Sequence, residues 1–283
     1  MSNPRPASEG RAKVVKVQGD TVTRRNDRVV TEEPMEIRLV AGGQTQTVAV
    51  TMRTPGNDFE LAAGFLFGEG VLTDADQIAS IGYCRSDDFP AEQLYNIVTV
   101  DLRDPRTVDL AHLQRHFQMS SACGVCGKAS IEAIQISGVR PMVGGPVVPA
   151  SLVKSLPQLL SERQSLFSTT GGLHAAALFD SQGRLLLSRE DVGRHNAVDK
   201  LVGRMLLDHK VPAGDAILMV SGRSSYEIAQ KAVTAGIPIL CSVSAPSSLA
   251  IEVALSFGLT LVGFVRDDRF NVYSGEQRIQ LPT

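Results

Sequence analysis

The chain has 283 residues, with 28 Lys and Arg against 30 Asp and Glu and 43% hydrophobic residues, enough to bury a real core in one large or two modest domains. A formal net charge of -2 excludes a global basic field for nucleic acid, so any anionic ligand must be held by a local cluster. The four cysteines are too few and too unevenly spread for a disulfide scaffold, which points to a reducing, cytoplasmic setting. The first twelve residues lack the apolar stretch of a secretory signal, and the apolar run 247–265 is broken by Glu252 and Gly258, so no membrane span is expected.

Residues 1–30 read as a flexible N-terminal tail. Residues 35–40 and 47–52 alternate as strands do, and the glycines between them predict a hairpin. The spacing of Asn57 and Glu60 suggests a capping box opening a short helix over 59–67, followed by a strand over 94–102. A small strand-rich domain over 31–125 follows from this. Beyond it the rhythm changes to helices at 128–136 and 151–163, strands at 173–179 and 184–189, and a helix at 193–208. Strand 215–221, helix 225–235, strand 237–243, helix 248–257 and strand 259–266 complete a layered α/β domain over 126–283.

The sharpest chemical signal is Cys123-Gly-Val-Cys126 with a further glycine at 127. Placed at or just before a helix N-terminus and next to Lys128, a thiol there is expected to have a lowered pKa and to act as a thiolate nucleophile. Glycine removes bulk around the sulfur and suits attack on a large partner. A zinc half-site lacks two further ligands, because Cys84 and Cys241 stand alone. A thioredoxin-type dithiol would normally follow the first strand of a small βαβ domain, whereas this pair follows a long strand-rich region. A sulfur-relay cysteine and two inert buried thiols are the other readings.

Four further segments sit where strands run into helices. Asp191 suits a helix cap, but Arg194 and His195 fall in the first turn, where positive charge opposes the macrodipole and makes sense beside an anion. His195 and Asp199 are one turn apart, so the carboxylate is placed to orient the ring. Ser224 and Glu227 have capping-box spacing, which leaves Gly222 and Arg223 unexplained, and hydroxyls at 242–248 precede another helix. All lie after carboxyl ends of strands, where open α/β sheets bind ligands, yet there is no Walker A or Gly-x-Gly-x-x-Gly pattern. His174 begins an apolar strand but is followed by Ala176 where a zinc deaminase carries its proton-transferring Glu, which disfavours deamination.

Together the residues around Cys123 and Cys126, Gly172 to Ala176, Arg189 to Lys200, Ser221 to Ser225 and Ser244 to Ser248 resemble the FdhD family of formate dehydrogenase accessory sulfurtransferases. The resemblance runs from about residue 30 to the end. It implies a cytidine-deaminase-like α/β core with a smaller strand-rich domain, in a homodimer. It implies a sulfur carrier that takes persulfide sulfur from a cysteine desulfurase and passes it to the bis-molybdopterin guanine dinucleotide molybdenum cofactor before insertion into formate dehydrogenase. Cys123 falls on the persulfide position, with Cys126 an auxiliary thiol and no resident metal. The family's cofactor contact falls on Phe264, Val265, Arg266, Asp267, Asp268 and Arg269. Arg194, His195, Arg223 and His174 join them as candidates for phosphate and guanine, with a free guanine nucleotide as analogue. The rival readings are a non-catalytic cofactor-binding chaperone and a dithiol oxidoreductase; nucleic acid and membrane are not expected partners.

Overall fold

The computed structural model describes residues 7–84, 95–105 and 138–282. Cys123, Cys126, Lys128, the helix expected over 128–136 and the expected boundary at 125/126 lie outside the described residues.

β1 (Glu9–Gln18) and β2 (Thr21–Val30) pair antiparallel along their whole length around the two-residue turn Gly19-Asp20, with Gly19 at φ 58°. This corrects the flexible tail expected over 1–30. The alternating valines favour strand, but most of the ribbon is solvent-exposed, so no buried face marks it in the sequence. Its base is fastened by the Thr31 amide donating to Ser8 O at 3.0 Å and by Ser8 Oγ donating to Pro55 O at 2.9 Å.

β3 (Glu33–Ala41) and β4 (Gln44–Arg53) form the expected hairpin, closed by Gly42 and Gly43, both at positive φ. β6 (Ile97–Leu102) lies parallel to β3, and β5 (Ile78–Tyr83) pairs antiparallel with β6 in a four-stranded sheet. Alternation puts Met35, Ile37 and Leu39 inward and fully buried. α1 (Asp58–Gly68) covers that face. Its expected capping box does not form: Asn57 is left-handed and makes no side-chain cap, Asp58 is held by Arg53 at 3.1 Å, and Glu60 pairs with Arg189.

The larger sheet has six strands in the order β13-β12-β11-β10-β8-β9. These are β8 (His174–Phe179), β9 (Leu185–Asp191), β10 (Ile217–Val220), β11 (Ile239–Ser242), β12 (Thr260–Gly263) and β13 (Asn271–Ser274). The central β10, β11 and β12 are parallel, while β8, β9 and β13 are antiparallel to their neighbours. α4 (Arg194–Leu207), α5 (Tyr226–Thr234) and α6 (Ser248–Phe257) alternate with these strands. α2 (Ala150–Ser161) and α3 (Ser165–Thr170) precede the sheet, and a short β7 (Val148–Pro149) pairs with β14 (Ile279–Gln280).

Ala175, Ala177, Phe179, Ile217 and Met219 pack toward Val153, Leu156 and Leu160 of α2. Ala176, Leu178, Leu218 and Val220 join the other face, in one apolar cluster with α4, α5, α6, α1 and the inner residues of β3. Both sheets therefore share a core, the mixed α/β architecture that alternating βα patterning predicts. α1 and α4 meet at backbone distance: a Cβ on Gly64 would run into the Asp199 carbonyl, and one on Gly203 into the Glu60 carbonyl. Among the described residues no helix is long and apolar enough to cross a membrane.

Candidate anion-binding edge

The carboxyl ends of β10, β11 and β12 point to one edge of the six-stranded sheet, and β8, running the other way, begins there with His174. The loops at this edge are stitched to one another by their backbones. Ser221 N–H donates to Ala175 O at 3.0 Å, Ser247 N–H to Ser224 O at 3.0 Å, and Phe264 N–H to Ser244 O at 3.2 Å. Ser221 Oγ accepts from the Ala175 amide at 2.9 Å. The row is thereby fixed before any ligand arrives.

Arg194 and His195 open α4, whose first turn contains no acidic residue. Gly222 separates their base from His174: a Cβ there would lie 3.5 Å from His174 Nδ1 and 3.8 Å from Arg194 Cβ. Burial, then the Arg194 charge and the neighbouring His195, hold His174 below the ordinary histidine value, so near neutral pH it is an uncharged imidazole. Among the described residues Arg194 Nε and Ser224 Oγ are buried without a hydrogen-bond partner. Leaving a donor so placed costs about 1–3 kcal/mol, more beside a charge, and a bound anion would recover it.

Arg223 is exposed in the β10–α5 junction. Phe264 follows β12 with φ 53° and is 41% exposed. A left-handed aromatic is costly, and here its amide is tied to Ser244, so the ring is turned out where an extended strand would have continued. Arg266 is braced by its own Nη1, which donates to Val243 O at 2.6 Å and Val265 O at 2.9 Å, and the turn closes with Arg266 N–H to Arg269 O at 2.8 Å. Asp267, Asp268 and Arg269 are exposed on that turn. Val265 departs from expectation: its side chain is fully buried in the sheet core, so only its backbone is available.

Three further expectations change. Asp199 does not orient His195; it is nearly fully buried one turn deeper and lies 2.7 Å from Lys231 Nζ. His195 Nε2 instead lies 3.1 Å from Ser225 Oγ and 3.4 Å from Glu227 Oε2. The capping box at Ser224 and Glu227 is likewise absent, because the N-cap of α5 is Ser225 and Ser224 turns into the core beside Pro246. Glu227 is thus a residue of this edge that capping logic had explained away. Asp191 does not cap α4 through its first amides either; its carboxylate accepts from Gly193 N–H at 2.8 Å, Asn196 Nδ2 at 3.0 Å and Thr54 N–H at 3.1 Å, and meets Lys200 Nζ at 2.7 Å.

Cys241 is fully buried in β11, and burial pushes its thiol up to about 12, which makes it a packing residue. Among the described residues Asp74, Asp76 and His209 bring ligand atoms together, but all three are exposed, and His209 lies just beyond the far end of α4, roughly 20 Å along that helix from Arg194. A cavity of about 560 Å³ opens at the opposite end of the sheet, lined by Leu72, Met142, Val211, Pro212, Val233 and Pro238. Its lining is mostly apolar with Arg140 its one cation, whereas the polar edge gathers several arginines, so the edge is the better candidate for an anion.

The FdhD/NarQ family matches residues 30–280. The chain is similar to the sulfur carrier protein FdhD of Streptomyces avermitilis, 49% identical over 96% of this chain and 95% of that protein. It is also similar to the sulfur carrier protein FdhD of Sulfurisphaera tokodaii, 44% identical over 95% of this chain and 98% of that protein. A crystal structure assigned as a formate dehydrogenase accessory protein from Desulfotalea psychrophila superposes with a TM-score of 0.73 at 26% identity, over 98% of this chain and 100% of that one.

Proposed function

Because the chain belongs to the FdhD/NarQ family, we propose that it is a sulfur carrier serving a formate dehydrogenase, with Cys123 as the sulfur-bearing residue and the sheet edge as the seat of an anionic cofactor substrate. The observation that carries the second half is the row of Arg194, His195, Arg223 and the Phe264 to Arg269 turn, in which Arg194 Nε has no hydrogen-bond partner among the described residues. Paired guanidinium donors suit phosphate oxygens, and an outward aromatic suits a flat base. A molybdenum-bearing guanine dinucleotide combines both and is the substrate this edge fits. The strand order β9-β8-β10-β11-β12, with a helix between successive strands from β9 onward, supports a deaminase-like layering of the core.

In the proposed cycle the Cys123 thiolate attacks the terminal sulfur of a cysteine desulfurase persulfide; the S–S bond of the donor breaks, its thiolate leaves, and Cys123 carries the persulfide. Cys126 then attacks Cys123 Sγ, forming a disulfide between the two and releasing hydrosulfide, which goes to the metal of the cofactor. Both electrons that reduce the sulfane sulfur come from the two thiolates, and a cellular thiol restores the pair. The edge supplies binding and orientation. His174, uncharged, offers a neutral hydrogen-bonding group and leaves the positive charge to the arginines.

The test is activation of an inactive formate dehydrogenase by the purified chain, the cofactor and a desulfurase with cysteine. The native chain restores activity, Cys123→Ala does not, and Arg194→Ala with Arg266→Ala restores it only at raised cofactor concentration. Full activation by Cys123→Ala would convert the carrier into a binding chaperone. A stable redox-active disulfide cycling without any sulfur transfer would instead make it a dithiol oxidoreductase.

A further inference from the structure

Glu227 was expected to close a capping box at the start of α5, yet it makes no such bond. It reaches across the junction to α4, where its Oε2 and Ser225 Oγ converge on His195 Nε2 at 3.4 and 3.1 Å. The hydrogen bond from His195, with help from Ser225, pulls the Glu227 carboxyl down to about 2, so it is an anion throughout the neutral range. A carboxylate only accepts hydrogen bonds, so Nε2 is the nitrogen that carries hydrogen. The neutral ring is thereby held in one tautomer with its lone pair on Nδ1, and protonation turns Nδ1 into a second donor.

The other charged groups around this ring do not compete for it. Asp191 at the end of β9 is taken by Lys200, and Asp199 on α4 by Lys231 of α5, each at 2.7 Å. Arg194 on α4 is a cation, and His174 on β8 is held uncharged by burial and by that cation. Glu227 is left as the carboxylate available to His195. We propose that Glu227 is a positioning residue of the edge, fixing His195 so that Nδ1 faces the bound anion and donates to it once the ring is protonated. The inference rests on the edge being the anion site and adds the group that orients its imidazole, a protonated ring holding the anion more tightly than a neutral one.

Guanosine diphosphate is the probe, titrated calorimetrically into the native chain, Glu227→Gln and Glu227→Asp between pH 5.5 and 8, with the His195 ring followed in parallel by NMR in the absence of nucleotide. Glu227→Gln removes a half-exposed charge and leaves the buried core untouched. The expected result is a native affinity that falls as pH rises, a native His195 ring in the single Nε2–H tautomer, and a Glu227→Gln affinity weaker by about two- to fivefold with the two tautomers mixed. Glu227→Asp is intermediate in both readouts. A native affinity in Glu227→Gln, or the same single tautomer in both chains, overturns the positioning role while leaving the edge as the anion site. No binding of the nucleotide by the native chain at any pH overturns the edge and this inference with it.

Discussion

Between Arg189 and Lys200 nearly every side chain has a distant partner, and most of them brace the fold. Arg189 pairs with both Glu60 oxygens through Nε and Nη2, Glu190 accepts from the Leu166 and Phe167 amides, Asn196 reaches Met52 O, and Lys200 donates to Thr54 O. Asp191 and Lys200 are 0% and 1% exposed and bind each other, so Lys200→Met strands a buried carboxylate and is expected to cost about 3–5 kcal/mol, read as a lower urea midpoint. Arg194 is the contrasting case. Arg194→Ala removes an unpaired buried donor, so it is expected to leave the urea midpoint unchanged or raised while weakening guanosine diphosphate binding by about tenfold, the worth of one charge-assisted hydrogen bond. The sequence marks Arg194 and His195 because cations at a helix N-terminus are anomalous on local grounds. It cannot mark the brace, whose partners lie 23 to 146 positions away in the chain. Glu227 was hidden for a related reason, since a local explanation was available and the true partner was on another helix.

α1 and α4 cross where Gly64 faces Gly203, and neither position tolerates a Cβ without moving backbone. Gly64→Ala and Gly203→Ala gain helix propensity yet are each expected to destabilise by about 1–3 kcal/mol or more, lowering the melting temperature by about 2–4 °C per kcal/mol. A melting temperature at or above the native value in either variant contradicts the close crossing. Periodicity located the elements that bury a face: α6 falls on its expected residues 248–257, and α4 and α2 within two residues of theirs. It failed where burial is slight or elements are short. The β1–β2 ribbon is largely exposed, and β7 and β14 have two residues each, too few for any alternation to show. The strand expected to run to 266 stops at Gly263, because Phe264 takes a left-handed backbone that no local pattern announces.

At the scale of the whole molecule, one apolar cluster joins the four-stranded sheet to one face of the six-stranded sheet, and the proposed edge sits on that shared core. The site's electrostatics then feed back on stability. His174 is held below its ordinary value of 6.5, so below that pH the unfolded chain binds a proton that the folded chain resists. Stability from this residue is present above the unfolded value and declines as pH falls from there toward the folded value; the lowered carboxyls Glu36, Asp180 and Glu227 act only at more acid pH. The native chain should lose denaturant resistance between pH 7 and 5.5, and His174→Gln should flatten that slope; an unchanged slope would show that His174 protonates freely. Fold class and the cationic edge were legible because α/β cadence and misplaced charge are local signals, whereas the shared core depends on how two sheets meet. The central claim concerns the sulfur on Cys123, and the most direct measurement is the intact mass of the chain after incubation with a cysteine desulfurase and cysteine. The native chain and Cys126→Ala are expected to gain one sulfur atom that reductant removes, while Cys123→Ala gains none; an adduct that persists in Cys123→Ala, or none on the native chain, contradicts the assignment.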